Sequence, residues 1–205
     1  MLGLIRPAIV LLVLFSALTG LAYPLAITGV AQLAFSAQAN GGLVTRNGVV
    51  VGSRLIGQDF AEAKYFHGRP SATQGPDPKD ASKTVDAPYN AASSAGSNLG
   101  PTSRKLIDRV KATIAADRAA GLKGAIPADA VTASASGLDP DISPAYALAQ
   151  VEAVAAARGV AAEKLRALVE AHVERPALDL IGEPRVNVLT LNLALDRSLA
   201  AEAAK

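Results

Sequence analysis

Few residues in this chain could carry covalent chemistry. It holds two histidines, His67 and His172, and no cysteine. Without Cys there is no disulfide framework, no thiolate metal site and no thiol nucleophile. Two histidines so far apart in sequence make neither an H-E-x-x-H pair nor a His-rich metal box. There is also no G-x-S-x-G elbow, no G-x-x-x-x-G-K-S/T phosphate loop and no G-x-G-x-x-G turn. His67, between Tyr65-Phe66 and Gly68-Arg69-Pro70, reads as a packed or turn-forming imidazole. His172 reads as a complement to a helix C-terminal dipole. Asp139-Pro140-Asp141 sets two carboxylates close together, but Asp-Pro initiates turns, so a turn is expected there rather than acid–base work.

Three polar stretches offer binding rather than catalysis. Ser93, Ser94, Gly96, Ser97, Asn98, Leu99, Gly100, Pro101 and Thr102 form a hydroxyl- and amide-rich loop that leads into a helix N-terminus. Outward N–H groups there could take an anion, with capping and turn chemistry as the plainer reading. Thr132, Ser134 and Ser136 alternate with Val131, Ala133 and Ala135 as on a strand, which predicts an exposed hydroxyl ladder that could line a cation path, with an ordinary exposed strand face as the plainer reading. Gln150 falls opposite Leu148 and Ala155 on its helix and is expected to face solvent or a partner.

The elements that position these stretches begin with an anchor. Arg6 is the only charged side chain before Arg46, and Ala8 to Ile27 is a run of 20 mostly apolar residues. At 1.5 Å per residue such a helix spans about 30 Å, the thickness of a hydrocarbon core. Pro24 is expected to kink its far end. Ala37-Gln38-Ala39 resembles a signal-peptidase site, but the apolar run is longer than a secretory h-region and the site lies far downstream, so a retained anchor is expected. Arg6 favours a cytoplasmic amino terminus by the positive-inside rule, which puts the rest of the chain outside. The expected division is an anchor over residues 1–35 and one soluble, periplasmic domain over residues 36–205.

Composition agrees. The chain has 205 residues, half of them hydrophobic and 4% aromatic, with a mean hydropathy of +0.28. Twenty basic and eighteen acidic residues give a net charge of +2. That is too small a surplus for a nucleic-acid binder, which works by releasing counterions.

In the soluble part, Leu43–Val51 reads as a hairpin turning on Asn47-Gly48. Residues 68–103, with prolines 70, 76, 78, 88 and 101, read as one long loop. Ser103 is expected to cap a helix from Arg104 to Ala120. A short extended stretch over 126–136 follows, then helices over 144–158, begun by Ser143-Pro144 and stopped by Gly159, and over 162–172. The tail from Val186 fits either a strand or a helix capped by Asn187, with Val188, Leu191, Leu195 and Leu199 on one face; helix is preferred. Strands and helices mix without a βαβ rhythm, so the class is α+β.

Several stretches together carry a resemblance. They are Tyr65-Phe66-His67-Gly68-Arg69-Pro70-Ser71-Ala72, Tyr89-Asn90, Gly96 to Thr102, Val131-Thr132-Ala133-Ser134 with Gly137-Leu138-Asp139-Pro140, Ile142-Ser143-Pro144, Gly182 to Leu189, and Asn192 to Asp196. In this order, behind a short anchor, the chain closely resembles the C subunit of Kdp-type potassium-transporting ATPases. Ala95 and Ala135 stand where that family usually has Gly, Asp141 where His is common and Ser103 where Asn is common. The lost glycines put in doubt any close backbone approach at those loops.

The resemblance implies a non-catalytic accessory subunit of a bacterial inner-membrane potassium-uptake complex. Its partners would be a channel-like potassium-translocating subunit and a P-type ATPase subunit. The chain would have no cofactor of its own, because ATP and Mg2+ belong to the ATPase subunit. Its implied roles are complex assembly and a chaperone-like increase in the nucleotide affinity of that partner. Ser93–Thr102 and Gln150 are then the candidate partner- or nucleotide-linked contacts. Arg69, Pro70, Thr132, Ser134, Ser136, Asp139, Arg185 and Asn187 are the candidate interface positions. A membrane-tethered periplasmic hydrolase and a secreted binding protein released by cleavage are the alternatives.

Overall fold

The structure is a computed structural model and describes residues 2–176 and 181–203. The chain forms two compact units, residues 1–51 and 52–205.

The first unit is a long apolar helix followed by the start of a hairpin. Helix α1 (Leu2–Ala17) passes through a π-helical turn, Leu18–Ala22, into α2 (Tyr23–Ala34). The continuous helix Gly3–Ala34 is 32 residues long with hydropathy 2.2 and no buried side chain, so it is long and apolar enough to cross a membrane. It extends beyond the expected Ala8–Ile27 at both ends, with Pro7 inside α1. In place of a simple kink at Pro24, the helix takes a wide turn just before it, in which the Tyr23 N–H reaches the Leu18 carbonyl. Proline has no N–H for the carbonyl four residues back, and a π turn is one way to absorb the mismatch. A short helix α3 (Ser36–Ala39) leads to β1 (Leu43–Arg46), which pairs with β2 (Val49–Ser53). Asn47 and Gly48 take φ of 53° and 79°, as a primed hairpin turn requires.

The second unit mixes strands and helices around one core. Strands β3 (Gln74–Asp77) and β4 (Asp80–Asp86) form an antiparallel hairpin inside the stretch expected to be loop throughout. Its strands are polar and mostly exposed, so no hydrophobic alternation marks them, and side chains set the turn: Lys79 N–H donates to Asp77 Oδ1 at 2.7 Å. Helix α4 (Arg104–Ala119) follows, then the single turn α5 (Ala128–Val131), where the sequence had suggested an extended stretch. Strand β5 (Asp141–Ile142) precedes α6 (Pro144–Arg158) and α7 (Ala162–Ala171). β6 (Val173–Glu174) and β7 (Arg185–Asn187) complete a three-stranded antiparallel sheet ordered β5-β7-β6. The tail is the preferred helix, α8 (Val188–Ala203). Asn187 Oδ1 accepts from the Thr190 N–H at 3.1 Å, the expected cap. The Leu199 side chain lies outside the described residues.

The core is built by α6, α7 and α8 around Phe66. Phe66, Ala147, Val151, Val169, Val186, Leu191 and Leu195 are all fully shielded from solvent. Helix α6 is well framed: Ser143 Oγ accepts from the Tyr146 N–H at 3.0 Å, and Gly159 closes the helix at φ 67°. The segment leading into Phe66 is pinned by polar contacts. Arg158 Nη2 meets Asp196 Oδ1 at 2.9 Å, Arg158 Nε donates to the Lys64 carbonyl at 2.6 Å, and the guanidinium lies 4.7 Å from the Tyr65 ring centre.

Candidate functional site

The polar loops converge on Arg69. Its Nη1 meets Asp139 Oδ2 at 2.8 Å, with both side chains roughly a quarter exposed. Ser71 Oγ donates to the Gly137 carbonyl at 2.8 Å and accepts from the Tyr89 N–H at 3.0 Å. The Tyr89 hydroxyl donates to the Arg69 carbonyl at 2.7 Å. A Cβ at Gly68 would collide with that hydroxyl, so glycine is required for the ring to seat. Burial, then the Asp139 and Asp59 carboxylates, pushes the Tyr89 pKa up to about 12, so the phenol remains a donor.

Two further loops join this cluster. Ser94 Oγ and the Ala95 N–H both donate to the Ser136 carbonyl, at 3.0 and 2.9 Å. Gly96 packs so closely on Ala135 that an added Cβ would lie 2.7 Å from the Ala135 oxygen. The close approach therefore survives the alanines at 95 and 135: it is made by Gly96 against Ala135 and by Gly137 against Ala95, and the Ala135 side chain is exposed. The expected hydroxyl ladder does not form. Thr132 Oγ1 donates back to the Ala128 carbonyl, buried Ser134 Oγ accepts from the Gly137 N–H, and Ser136 Oγ accepts from the Leu138 N–H. Each hydroxyl serves a turn, which is why alternation in sequence did not become a strand.

A second polar cluster lies along β5 and β7. Arg185 bridges Asp141 at 3.0 Å and Glu174 at 3.3 Å, and Arg54 meets Glu174 at 2.8 Å. Asn187, almost fully buried, donates from Nδ2 to the Arg54 carbonyl at 3.0 Å and to Asp141 Oδ1 at 2.9 Å. Burial raises the Asp141 pKa against the opposing pull of Asn187 and Arg185. A groove of about 380 Å³ links the two clusters, lined by Arg69, Asp129, Asp139, Asp141, Ser143 and Arg185, among others. The structure thus brings Arg69, Asp139 and Arg185 to one groove. Pro70 lines a different cavity, and Asn187 acts inside the fold.

The loop before α4 is the most open of the candidate regions. Ser93, Ser94, Asn98, Gly100, Pro101 and Thr102 are exposed, while Gly96, Ser97 and Leu99 are half-buried. Ser103 opens α4 but makes no side-chain cap, and Arg104 and Lys105 occupy a first turn that contains no acid.

Gln150 overturns its expectation. It is 2% exposed, accepts from the His67 N–H at 2.7 Å and donates to the His67 carbonyl at 3.1 Å. It is a clamp inside the core, paired with Asn192, which holds the Phe66 N–H and carbonyl at 2.9 Å each. Asp129 was missed: it accepts from both the N–H and the hydroxyl of Ser143, at 2.7 and 3.0 Å. Only its place 14 residues before a helix cap could have suggested it.

A long apolar helix joined to a polar domain, whose conspicuous side chains are spent on holding loops together, defines a membrane-anchored accessory domain. A family model described as "KdpC: K+-transporting ATPase, c chain" matches residues 5–197. A potassium-transporting ATPase KdpC subunit from Bradyrhizobium diazoefficiens is 60% identical over 200 residues, covering 98% of this chain and 100% of that protein. Proteins of the same description from Rhodopseudomonas palustris and Methylobacterium nodulans are 62% and 61% identical over 196 residues, each covering 96% of this chain and 98% of theirs. The chain belongs to the KdpC family, and it is an accessory chain of the potassium-transporting ATPase rather than its catalytic one.

Proposed function

We propose that this subunit anchors in the bacterial inner membrane through one helix, amino terminus in the cytoplasm, and places residues 40–205 in the periplasm. There the domain packs on the outer face of the potassium-translocating subunit, near its ion entrance, and holds that subunit together with the ATP-hydrolysing one. Any rise in the ATP affinity of the latter is indirect, carried through the membrane helix or the state of assembly. ATP and Mg2+ remain with that partner. The observation that carries the reading is charge placement: Arg6 is the only charge before Arg46, so the apolar helix has its nearest cation on the amino-terminal side.

The test is made on the assembled complex. Co-purification of the other two subunits should fail when residues 1–35 are removed. A photoreactive ATP analogue should label the ATPase subunit and leave this chain unlabelled. Saturable labelling of residues 40–205 would overturn the indirect role.

A further inference from the structure

Beneath α4 lie two neighbouring cavities, of about 380 and 270 Å³, and both are lined by His67, Asp117 and Tyr146. The larger is walled by five alanines (61, 63, 116, 120 and 153), with Leu122 and Val154. Helix α4, which borders them, has no fully buried residue, and its inner stripe of Leu106, Val110, Thr113 and Asp117 is half-buried. This space is moreover polar at one end: Asp117 Oδ2 is buried with no hydrogen-bond partner. A buried acceptor left unmatched is costly, so it marks where a donor belongs.

Two carboxylates stand at the junction of the cavities. Asp117 comes from α4, and Asp59 lines the smaller cavity; neither forms an ion pair among the described residues. Arg69, the one cation lining that cavity, is engaged by Asp139 at 2.8 Å through Nη1, while its buried Nε has no hydrogen-bond partner among the described residues. Burial lowers the His67 pKa against the pull of Asp117 and Asp59, and raises those of Asp117 and Tyr146. Gln150, at the wall, has both ends of its amide committed to His67.

The geometry points to a binding site for a small organic cation, a primary ammonium on a short apolar stem. The ammonium donates to Asp117 and the stem lies among the alanines. Neither a bare metal ion nor an uncharged alkane matches both ends.

The test uses the full chain in non-ionic detergent, with ring-13C-labelled histidine. His67 and His172 give two signals, and His172, whose Nδ1 lies 2.8 Å from the Leu168 carbonyl, is the internal control. Titration with n-butylammonium chloride should shift the His67 signal saturably and leave His172 in place. n-Butanol and potassium chloride should each bind at least tenfold more weakly. Asp117→Asn, which keeps the shape, should weaken butylammonium at least tenfold, and Ala153→Leu should block it by filling the stem pocket. Absence of a saturable His67 shift, equal binding of butanol or potassium, or unchanged affinity in Asp117→Asn would each overturn the site.

Discussion

Helices α4 and α6 are nearly equal in length, 16 and 15 residues, yet they are held quite differently. α6 buries Tyr146, Ala147, Gln150, Val151, Val154 and Ala155 and has a side-chain cap at one end and a left-handed glycine at the other. α4 has no fully buried residue, only a half-buried stripe, its Ser103 makes no side-chain cap, and it places Arg104 and Lys105 at the positive end of its dipole. Helices in proteins owe most of their stability to tertiary packing. α6 is therefore part of the scaffold, and α4 a more lightly packed helix bordering the cavities. The same sequence rules predicted both helices; they could not tell which would be packed.

The contrast can be broken or sharpened by substitution. The largest effect is expected at Phe66, wholly buried in the core that α6 helps to build: Phe66→Ala should cost about 3–5 kcal/mol in denaturant unfolding. Next is Gln150→Ala, which strands the His67 N–H and carbonyl and should cost about 1–3 kcal/mol. If Gln150→Ala is neutral, the clamp is not what fixes the loop to α6. Third come the caps. Ser143→Ala should cost about 1 kcal/mol, whereas Ser103→Ala should change unfolding by a few tenths at most. Equal losses at the two serines would erase the distinction between the helices.

The smallest effect is on pH dependence. Burial lowers the His67 pKa, with Asp117 and then Asp59 opposing. Between the folded and the ordinary pKa the unfolded chain binds more protons, so the contribution of neutral His67 is complete above the ordinary histidine range. It is lost as pH falls through the lowered folded value. The Tm should drop between pH 7.5 and 5.5, and His67→Gln should flatten part of that drop. An identical slope in both proteins would show that His67 is not buried as described.

What was legible in the sequence was whatever local chemistry decides. Asn47-Gly48 announced its turn, Ser143-Pro144 and Gly159 bounded α6, and Asn187 capped α8. The long apolar helix was legible from the lack of charge alone. The β3–β4 hairpin was hidden because its strands are exposed and polar, so nothing separates two faces. Gln150 was misplaced because α6 is rich in alanine, which blurs its faces. Measured from Tyr146, Val151 and Val154, Gln150 falls inside the buried stripe, while Leu148, taken as the apolar marker, is only partly buried. The loop cluster at Arg69 depends on pairs such as Arg69–Asp139 and Ser94–Ser136, dozens of residues apart, which no local pattern records.

The central claim is that the domain lies on the periplasmic side. The chain has no native cysteine, so Lys123→Cys, at an exposed position, gives a single reporter. Spheroplasts carrying it are treated with a membrane-impermeant maleimide, with lysed cells as the control. The account predicts labelling before lysis, to the same extent as after it. Labelling only after lysis would contradict it, placing the domain in the cytoplasm and leaving the exposed Ser93–Thr102 loop free to meet nucleotide directly.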